Sequence, residues 1–279
     1  MEAYTENWQN PENISQQDII DRALNSPDYF IRVDAVKMIE DQEVVKQIAL
    51  NDRDYYVRQT AVDRLLNQDT LKHIACNDTD YYVRLSAVKR ITDADVLAEI
   101  ILASQDDFYI CKDAIIGIKN DAVLEQLITN LKDRDIKSAA VQAIADQQIL
   151  SRIAMENDDF YVRSDAIKKL SDKSLLANIA KNDKDYYVRA LAVQLIDDRD
   201  TIHHLAFHDP DYYVRNQAVA KIFEDHVLIE IVKKDEDFEV RKKAISQIQD
   251  VEMLKNLKQD IHDTYIHRKI DSRISELKG

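Results

Sequence analysis

Residues 52–65 read DRDYYVRQTAVDRL, and residues 183–196 read DKDYYVRALAVQLI. Both contain the pattern D-Y-Y-V-R-x-x-A-V, and the aspartate that opens it recurs along the chain in steps of 26 residues, with one step of 27. The recurring aspartates are Asp28, Asp54, Asp80, Asp107, Asp133, Asp159, Asp185, Asp211, Asp237 and Asp263. Because a period of this length is typical of one supersecondary unit, the sequence predicts about ten stacked repeats.

The apolar residues of each repeat have the spacing of one face of an α-helix. In the second repeat these residues are Val57, Ala61, Val62 and Leu65. The spacing predicts a helix of about three turns, with the aspartate as its N-cap. A shorter apolar set upstream in each repeat, such as Leu71, Ile74 and Ala75, predicts a second helix of about two turns. Short polar residues such as Asp41 and Asp172 are predicted to end the capped helix.

The composition agrees with an all-α fold. The 279 residues include only 2 Gly and 3 Pro, too few for a protein built from tight β-hairpins. One repeat cannot bury its apolar face alone, so stacking on its neighbours has to supply the core. We therefore expect a right-handed α-solenoid of helix-turn-helix repeats over residues 14–279 as a single domain, with the last repeat as a polar cap. Residues 1–13 are expected to form an N-terminal extension or cap.

These residues also carry a family resemblance. The pattern D-x-D-Y-Y-V-R-x-x-A-V-x-x-I, with L-x-x-I-A upstream, resembles the HEAT-like repeats of phycobilisome lyase relatives, and its short period resembles the bacterial leucine-rich-repeat variant. The resemblance covers about residues 14–276. It implies a superhelix of HEAT-like repeats that serves as a scaffold for binding other proteins, although some branches of the family are enzymes.

Arginine follows the capping aspartate by four residues in seven repeats, and the helical wheel places it at the edge of the seam between repeats. We expect these charges to form a structural ladder that ties adjacent turns by charge-assisted hydrogen bonds. The ladder residues expected from the sequence are Asp54, Arg58, Asp80, Arg84, Asp159, Arg163, Asp185, Arg189, Asp211 and Arg215.

Sixteen of the 20 aromatic residues occupy the two positions directly after the capping aspartate, here called the first and second ring positions. Rings at the first position are expected to staple neighbouring repeats. Rings at the second position lie either on an exposed partner-binding face or packed between repeats. The expected partner-binding residues are Phe30, Tyr56, Tyr82, Tyr109, Tyr161, Tyr187 and Tyr213, with Lys37, Lys89 and Lys168 on the outward face.

Few residues have the spacing of a catalytic or metal site. His204 and His208 are four residues apart, but no third ligand accompanies them and we expect neither a metal nor a cofactor. With two glycines the chain cannot build a glycine-rich phosphate loop. Cys76 and Cys111 are expected to be buried thiols. Repeats 4 and 5 depart from the pattern, as either a local kink or a docking point.

The charge and the missing membrane signals complete the functional expectation. The net charge is −14, and no apolar run approaches the ~20 residues of a membrane span. We expect a non-enzymatic cytoplasmic scaffold that binds a basic protein partner, for example as an inhibitor or immunity-type protein. The alternatives are a chromophore lyase or lyase subunit, as the resemblance implies, and a nucleic-acid-binding protein, which the acidic charge disfavours.

Overall fold

The computed structural model describes residues 14–279, so the predicted N-terminal extension, residues 1–13, lies outside the described residues. Over the described range there are 20 α-helices and no strand. They alternate between an upstream helix A and a capped helix B, two to each of ten repeats, which confirms the predicted all-α helical-repeat fold. No helix within residues 14–279 is long and apolar enough to cross a bilayer.

Contacts between residues group the chain into two compact units, Met1–Ile144 and Ala145–Gly279. The described part of the first unit holds α1 (Gln16–Asn25), α2 (Tyr29–Val36), α3 (Gln42–Asn51), α4 (Tyr55–Val62), α5 (Gln68–Asn77), α6 (Tyr81–Arg90), α7 (Ala94–Ala103), α8 (Phe108–Gly117), α9 (Asp121–Asn130) and α10 (Arg134–Ala143). The second unit holds α11 (Gln147–Glu156), α12 (Phe160–Ile167), α13 (Lys173–Asn182), α14 (Tyr186–Leu195), α15 (Arg199–His208), α16 (Tyr212–Val219), α17 (Asp225–Lys234), α18 (Phe238–Gln247), α19 (Val251–Asp260) and α20 (Thr264–Lys278). The expectation of one domain over residues 14–279 stays a prediction.

Aspartate and asparagine side chains set the starts of nearly all these helices. In repeat 2, Asp54 accepts a hydrogen bond from the backbone N–H of Tyr56 at 2.9 Å. Asp41 does the same for helix A, accepting from Glu43 N at 2.8 Å. Asp41 and its equivalents therefore begin helix A, whereas the sequence pattern had predicted that they end helix B. Helix A is also longer than predicted, at ten residues, because its first turn is polar and adds nothing to the apolar pattern.

Within each unit, the core runs along the seam between the helices. Val57, Ala61 and Val62 on helix B are fully buried, as is Leu71 on the next helix A. Each helix B packs on helix A of its own repeat and on helix B of the next, as α4 does on α3 and α6. Each unit is thus a stack of five helical hairpins. The short A–B turns, such as residues 52–54, lie along one edge of it, because the two helices of a hairpin run antiparallel.

Candidate functional site: an aromatic edge over an arginine ladder

The ring positions lie at the start of helix B, beside the A–B turn. At the second position, the exposed fraction is 61% for Phe30, 57% for Tyr82 and 66% for Tyr109. Tyr213 is half-buried. Little covers these rings because they belong to the first turn of a helix, where no preceding turn packs over them. The rings of both positions, which together we call the aromatic edge, line the A–B turns of each unit.

Rings at the first position also remain partly exposed, and they lie between the rings of the second position. Tyr55 is 6.0 Å from Tyr56 in its own repeat and 6.5 Å from Tyr82 in the next, measured between ring centroids. Tyr81 lies 5.4 Å from Tyr82 and continues the series. The second unit repeats the cross-repeat contact in the pairs Phe160–Tyr187 and Tyr186–Tyr213, at 6.3 and 6.2 Å. The rings of the aromatic edge are therefore in contact from one repeat to the next, and in repeats 2 and 3 the contacts run without a break from Tyr56 through Tyr55 and Tyr82 to Tyr81.

A ladder of arginines supports the turns that carry the rings. Nε and Nη2 of Arg58 donate to the two carboxylate oxygens of Asp78 in the next repeat, both at 2.8 Å. Nη1 of Arg58 donates to the carbonyl oxygen of Asp52 in its own turn, at 3.0 Å. Each arginine thus binds its own A–B turn and the next one. The same bidentate contact joins Arg32 to Asp52, Arg163 to Asp183, Arg189 to Asp209 and Arg215 to Asp235.

The carboxylates of this ladder differ from those expected from the sequence. The arginines bind the aspartate two residues before the N-cap, and the capping aspartates instead hold the first turn of helix B. The residues so corrected are Asp54, Asp80, Asp159, Asp185 and Asp211. Arg84 and Arg241 are exceptions, since they reach the capping aspartates of the following repeats. There the position two residues before the cap holds Gln105 or Ile261, which offers no carboxylate.

The ladder is buried and charged. Arg163 is 1% exposed, and its partner Asp183 is 6% exposed at the side chain. The hydrogen bond to Asp78 raises the pKa of Arg58 above its ordinary value, and Asp209 does the same for Arg189. A bidentate contact between opposite charges keeps the guanidinium protonated.

In several repeats, one carboxylate oxygen of the capping aspartate is therefore not used by the ladder or by the cap. Where the ladder uses the aspartate two residues before the cap, the capping aspartate bonds only to backbone N–H groups through Oδ1. Among residues 14–279, the capping aspartates bonded in this way are Asp54, Asp80, Asp185, Asp211 and Asp237. The first four are each next to a pair of rings of the aromatic edge, whereas Asp237 is next to Phe238 and Glu239.

The predicted lysines lie away from the rings. Lys37, Lys89 and Lys168 follow the second ring position by seven residues, which places them about two helical turns, or ~10 Å, further along helix B. Lys37 pairs with Asp34 at 2.9 Å, and Lys168 pairs with Asp165 at 2.8 Å. Sequence and structure thus place the lysines on the same face of helix B as the rings but at its opposite end.

Sequence reasoning missed a second set of cross-repeat donors, near the end of helix B. Nη2 of Arg64 donates to the carbonyl oxygen of Ile39 in the preceding repeat, and Arg90 donates to that of Leu65, both at 2.7 Å. The signal was present as a basic or amide residue at the same position of several repeats, namely Arg64, Arg90, Lys221, Gln247 and Arg273.

The histidines do not assemble a metal centre. The rings of His204 and His208 are 5.0 Å apart between centroids, and His203 faces Glu224 at 3.6 Å. Over the range that the structure describes, no three side chains of His, Cys, Asp or Glu come together as metal ligands. Cys111 is buried as expected, whereas Cys76 is half-exposed.

Comparison with known proteins places the fold in the helical-repeat class. No family model matches the sequence, and no curated protein matches it either. A solved structure of a leucine-rich repeat variant, described as a novel repetitive structural motif, is similar with 20% identity and a TM-score of 0.52, over 77% of this chain and 86% of that one. This likeness confirms the shared fold, and the specific resemblance to phycobilisome lyase repeats stays a prediction.

Two other solved structures align over most of the chain with lower scores. Escherichia coli YibA has 20% identity and a TM-score of 0.38, over 91% of this chain and 98% of that one. A designed armadillo repeat protein has 19% identity and a TM-score of 0.15, over 94% of this chain and 100% of that one. Neither alignment adds to the argument on function.

Proposed function

We propose that the chain is a protein-binding helical-repeat scaffold that holds a basic partner along the aromatic edge. The observation that carries this proposal is the regular exposure of rings at the A–B turns, directly above buried arginines. Tyr56, Tyr82 and Tyr187 are 50, 57 and 41% exposed, although a tyrosine at a core position would be covered. Contiguous exposed apolar surface of this kind marks interaction sites.

The rings are held in position before any partner arrives. The N-cap hydrogen bond fixes the first turn of helix B, and the arginine ladder fixes the turn before it. Tyrosine has few rotatable bonds and offers both an apolar face and a hydroxyl, which suits it to protein interfaces. Because little side-chain entropy is lost on binding, a preorganised strip of this kind favours affinity.

The charge of the turns favours a basic partner. In repeats 6 to 10, the two positions directly before the rings hold seven carboxylates and one lysine. The acidic residues are Asp158, Asp159, Asp185, Asp211, Glu236, Asp237 and Asp263, and the lysine is Lys184. Together with the net charge of −14, this arrangement steers cationic proteins towards the edge and repels nucleic acid phosphates. A non-enzymatic cytoplasmic inhibitor or immunity-type protein that binds a cationic target is one concrete form.

The proposal is tested by capture of partners on the immobilised full-length protein. The edge variant carries Tyr56→Ser, Tyr82→Ser, Tyr187→Ser and Tyr213→Ser. A matched control carries serine at four exposed apolar residues outside the edge, Leu66, Ile116, Met155 and Phe223, which are 50 to 79% exposed. Circular dichroism first establishes that both variants are as helical as the parent.

We expect a basic protein to be retained by the parent and the control and lost from the edge variant. The binding of that protein, once purified, is then measured directly with all three. Equal retention by the edge variant would contradict the proposal. A loss of helicity in the edge variant alone would show that the rings are structural rather than available for binding.

A further inference from the structure

We propose that the aromatic edge binds its partner as an extended polyproline-II segment with lysine or arginine at every third residue. This inference rests on the proposed function and specifies the partner's chemistry. It follows from the repeat of three groups along the edge: two rings that are at least partly exposed and one carboxylate oxygen without a hydrogen bond in the described chain. Asp54 and Asp80 supply that oxygen in the first unit, and Asp185 and Asp211 supply it in the second.

The spacing of the repeats selects the conformation of the partner. Helix α4 packs directly on α6, and α14 packs on α16. Helices in contact lie about 8–10 Å apart, so the carboxylates recur at about that distance. A polyproline-II helix has three residues per turn and rises ~3.1 Å per residue, which brings every third side chain to the same side after ~9 Å. A β-strand brings side chains to the same side every ~6.6 Å and loses register with the repeats.

The groups of each repeat suit a cation on an apolar backbone. Proline-rich polyproline-II segments dock on aromatic surfaces, since their conformation is preformed and their rings pack on aromatic faces. A guanidinium stacks on a ring and donates to a carboxylate at the same time. The chain itself shows the ring contact, because the guanidinium carbon of Arg268 lies 5.5 Å from the centroid of Tyr265, a ring of the second position.

Two pairs of successive repeats, one pair in each unit, hold the complete set of groups and are joined by a ring contact across the repeat boundary. Repeats 2 and 3 hold it in the first unit, through Tyr55–Tyr56 and Tyr81–Tyr82. Repeats 7 and 8 hold it in the second unit, through Tyr186–Tyr187 and Tyr212–Tyr213. In repeat 4 the second oxygen of Asp107 is bonded to Arg84, and in repeat 5 the ring positions hold Arg134 and Asp135. Each pair of repeats therefore matches a short segment with two basic residues in register.

The test compares two fluorescein-labelled peptides of the same composition. One repeats Pro-Pro-Arg four times, and the other places its four arginines together before eight prolines. Fluorescence anisotropy with the full-length protein near physiological ionic strength measures both affinities. We expect the spaced peptide to bind at least about tenfold more tightly, because only its cations reach successive carboxylates. Equal affinities, or no binding of the spaced peptide, would overturn the proposal.

Variants at the N-caps distinguish binding by the carboxylates of the aromatic edge from attraction by the overall charge. A second variant, here called the carboxylate variant, carries Asp54→Asn, Asp80→Asn, Asp185→Asn and Asp211→Asn. It keeps the caps because asparagine caps helices as well as aspartate does. The control carries Asp41→Asn, Asp93→Asn, Asp172→Asn and Asp250→Asn, at the starts of A helices on the opposite edge of each stack. Both lose four negative charges.

We expect the carboxylate variant to bind the spaced peptide about tenfold more weakly and its Asp→Asn control to bind the peptide like the parent. Equal weakening in both variants would show that only the overall field attracts the peptide, and would overturn the proposal. The outcome is independent of the capture experiment. A basic protein that depends on the tyrosines, combined with indifference to arginine spacing, would retain the proposed function and refute the polyproline-II register.

Discussion

Repeats 7 and 4 use the same position of helix B for different connections. In repeat 7, Arg189 donates to the carbonyl oxygen of Asp183 in its own turn and to both carboxylate oxygens of Asp209 in the next repeat. In repeat 4 the position holds Cys111, whose thiol lies 3.1 Å from the carbonyl oxygen of Ser104 in the turn of the same repeat. The arginine ties two repeats together, whereas the thiol satisfies only its own turn.

The difference extends to the aromatic edge. Because Asp209 receives Arg189, the capping aspartate of repeat 8, Asp211, keeps one oxygen without a hydrogen bond within the described chain. Ahead of repeat 4 no such aspartate is present, so Arg84 takes the cap Asp107 instead. A buried structural residue therefore decides whether a surface carboxylate is available for a partner.

The largest effect on stability is expected from breaking one buried arginine–aspartate pair of the ladder. The substitution Asp183→Ala leaves Arg163, which is 1% exposed, without a carboxylate. Removal of one partner of a buried ion pair lowers the free energy of unfolding by about 3–5 kcal/mol. Urea unfolding followed by circular dichroism measures the loss.

The matched control for that pair is Asp34→Ala, which removes the partner of Lys37 in an ion pair whose side chains are 53% and 59% exposed. A pair so exposed contributes ~1 kcal/mol or less, because water screens both charges. Similar losses from the two substitutions would show that the ladder is no more important to the fold than a surface ion pair.

A smaller effect on stability is expected when the pH is raised, because of Cys111 in repeat 4. Burial raises the pKa of the Cys111 thiol to about 12. The unfolded chain loses this proton near the ordinary thiol pKa of ~8.5, while the folded chain keeps it. The folded state then binds more protons than the unfolded state, so stability falls as pH rises through this range.

The variant Cys111→Ala removes this contribution and isolates it from lysines and tyrosines that titrate in the same range. Between about pH 8 and pH 10, we expect the parent to lose about 2 kcal/mol more unfolding free energy than the variant. The same comparison for Cys76→Ala, at the half-exposed thiol, should give a smaller difference. Parallel pH profiles for the parent and Cys111→Ala would contradict a buried thiol of raised pKa.

The sequence predicted the repeat, helix B and its N-cap because each depends on residues close in the chain. Val57, Ala61 and Val62 are buried as their spacing indicated, and Asp54 caps as its residue type indicated. The partner of Arg58 could not be chosen in this way. Asp78 and Asp80 lie two residues apart in the next repeat, and the choice between them depends on how successive hairpins stack.

The helical wheel also could not predict that the rings are exposed. The wheel assigns an angle to each residue but does not show that positions at the end of a helix lack a covering turn. Tyr55, placed by its angle beside the buried face, is 43% exposed for this reason. Helix A was predicted too short because residues such as Gln42 and Glu43 in its first turn are polar and outside the apolar pattern.

The smallest effect is expected when one substitution is made in both regions. Asp185→Asn keeps an oxygen that accepts from the backbone N–H of Tyr187, so the unfolding free energy should change by less than about 0.5 kcal/mol. Asp107→Asn also keeps a capping oxygen but removes the charge that Arg84 binds at 2.8 Å, in a pair about one quarter exposed. We expect it to lose about 1 kcal/mol. Urea unfolding of the two variants and the parent measures both losses. Equal losses would mean that the capping aspartates of repeats 4 and 7 contribute equally to stability. They would also mean that the ladder does not leave the carboxylate of Asp185 available for binding.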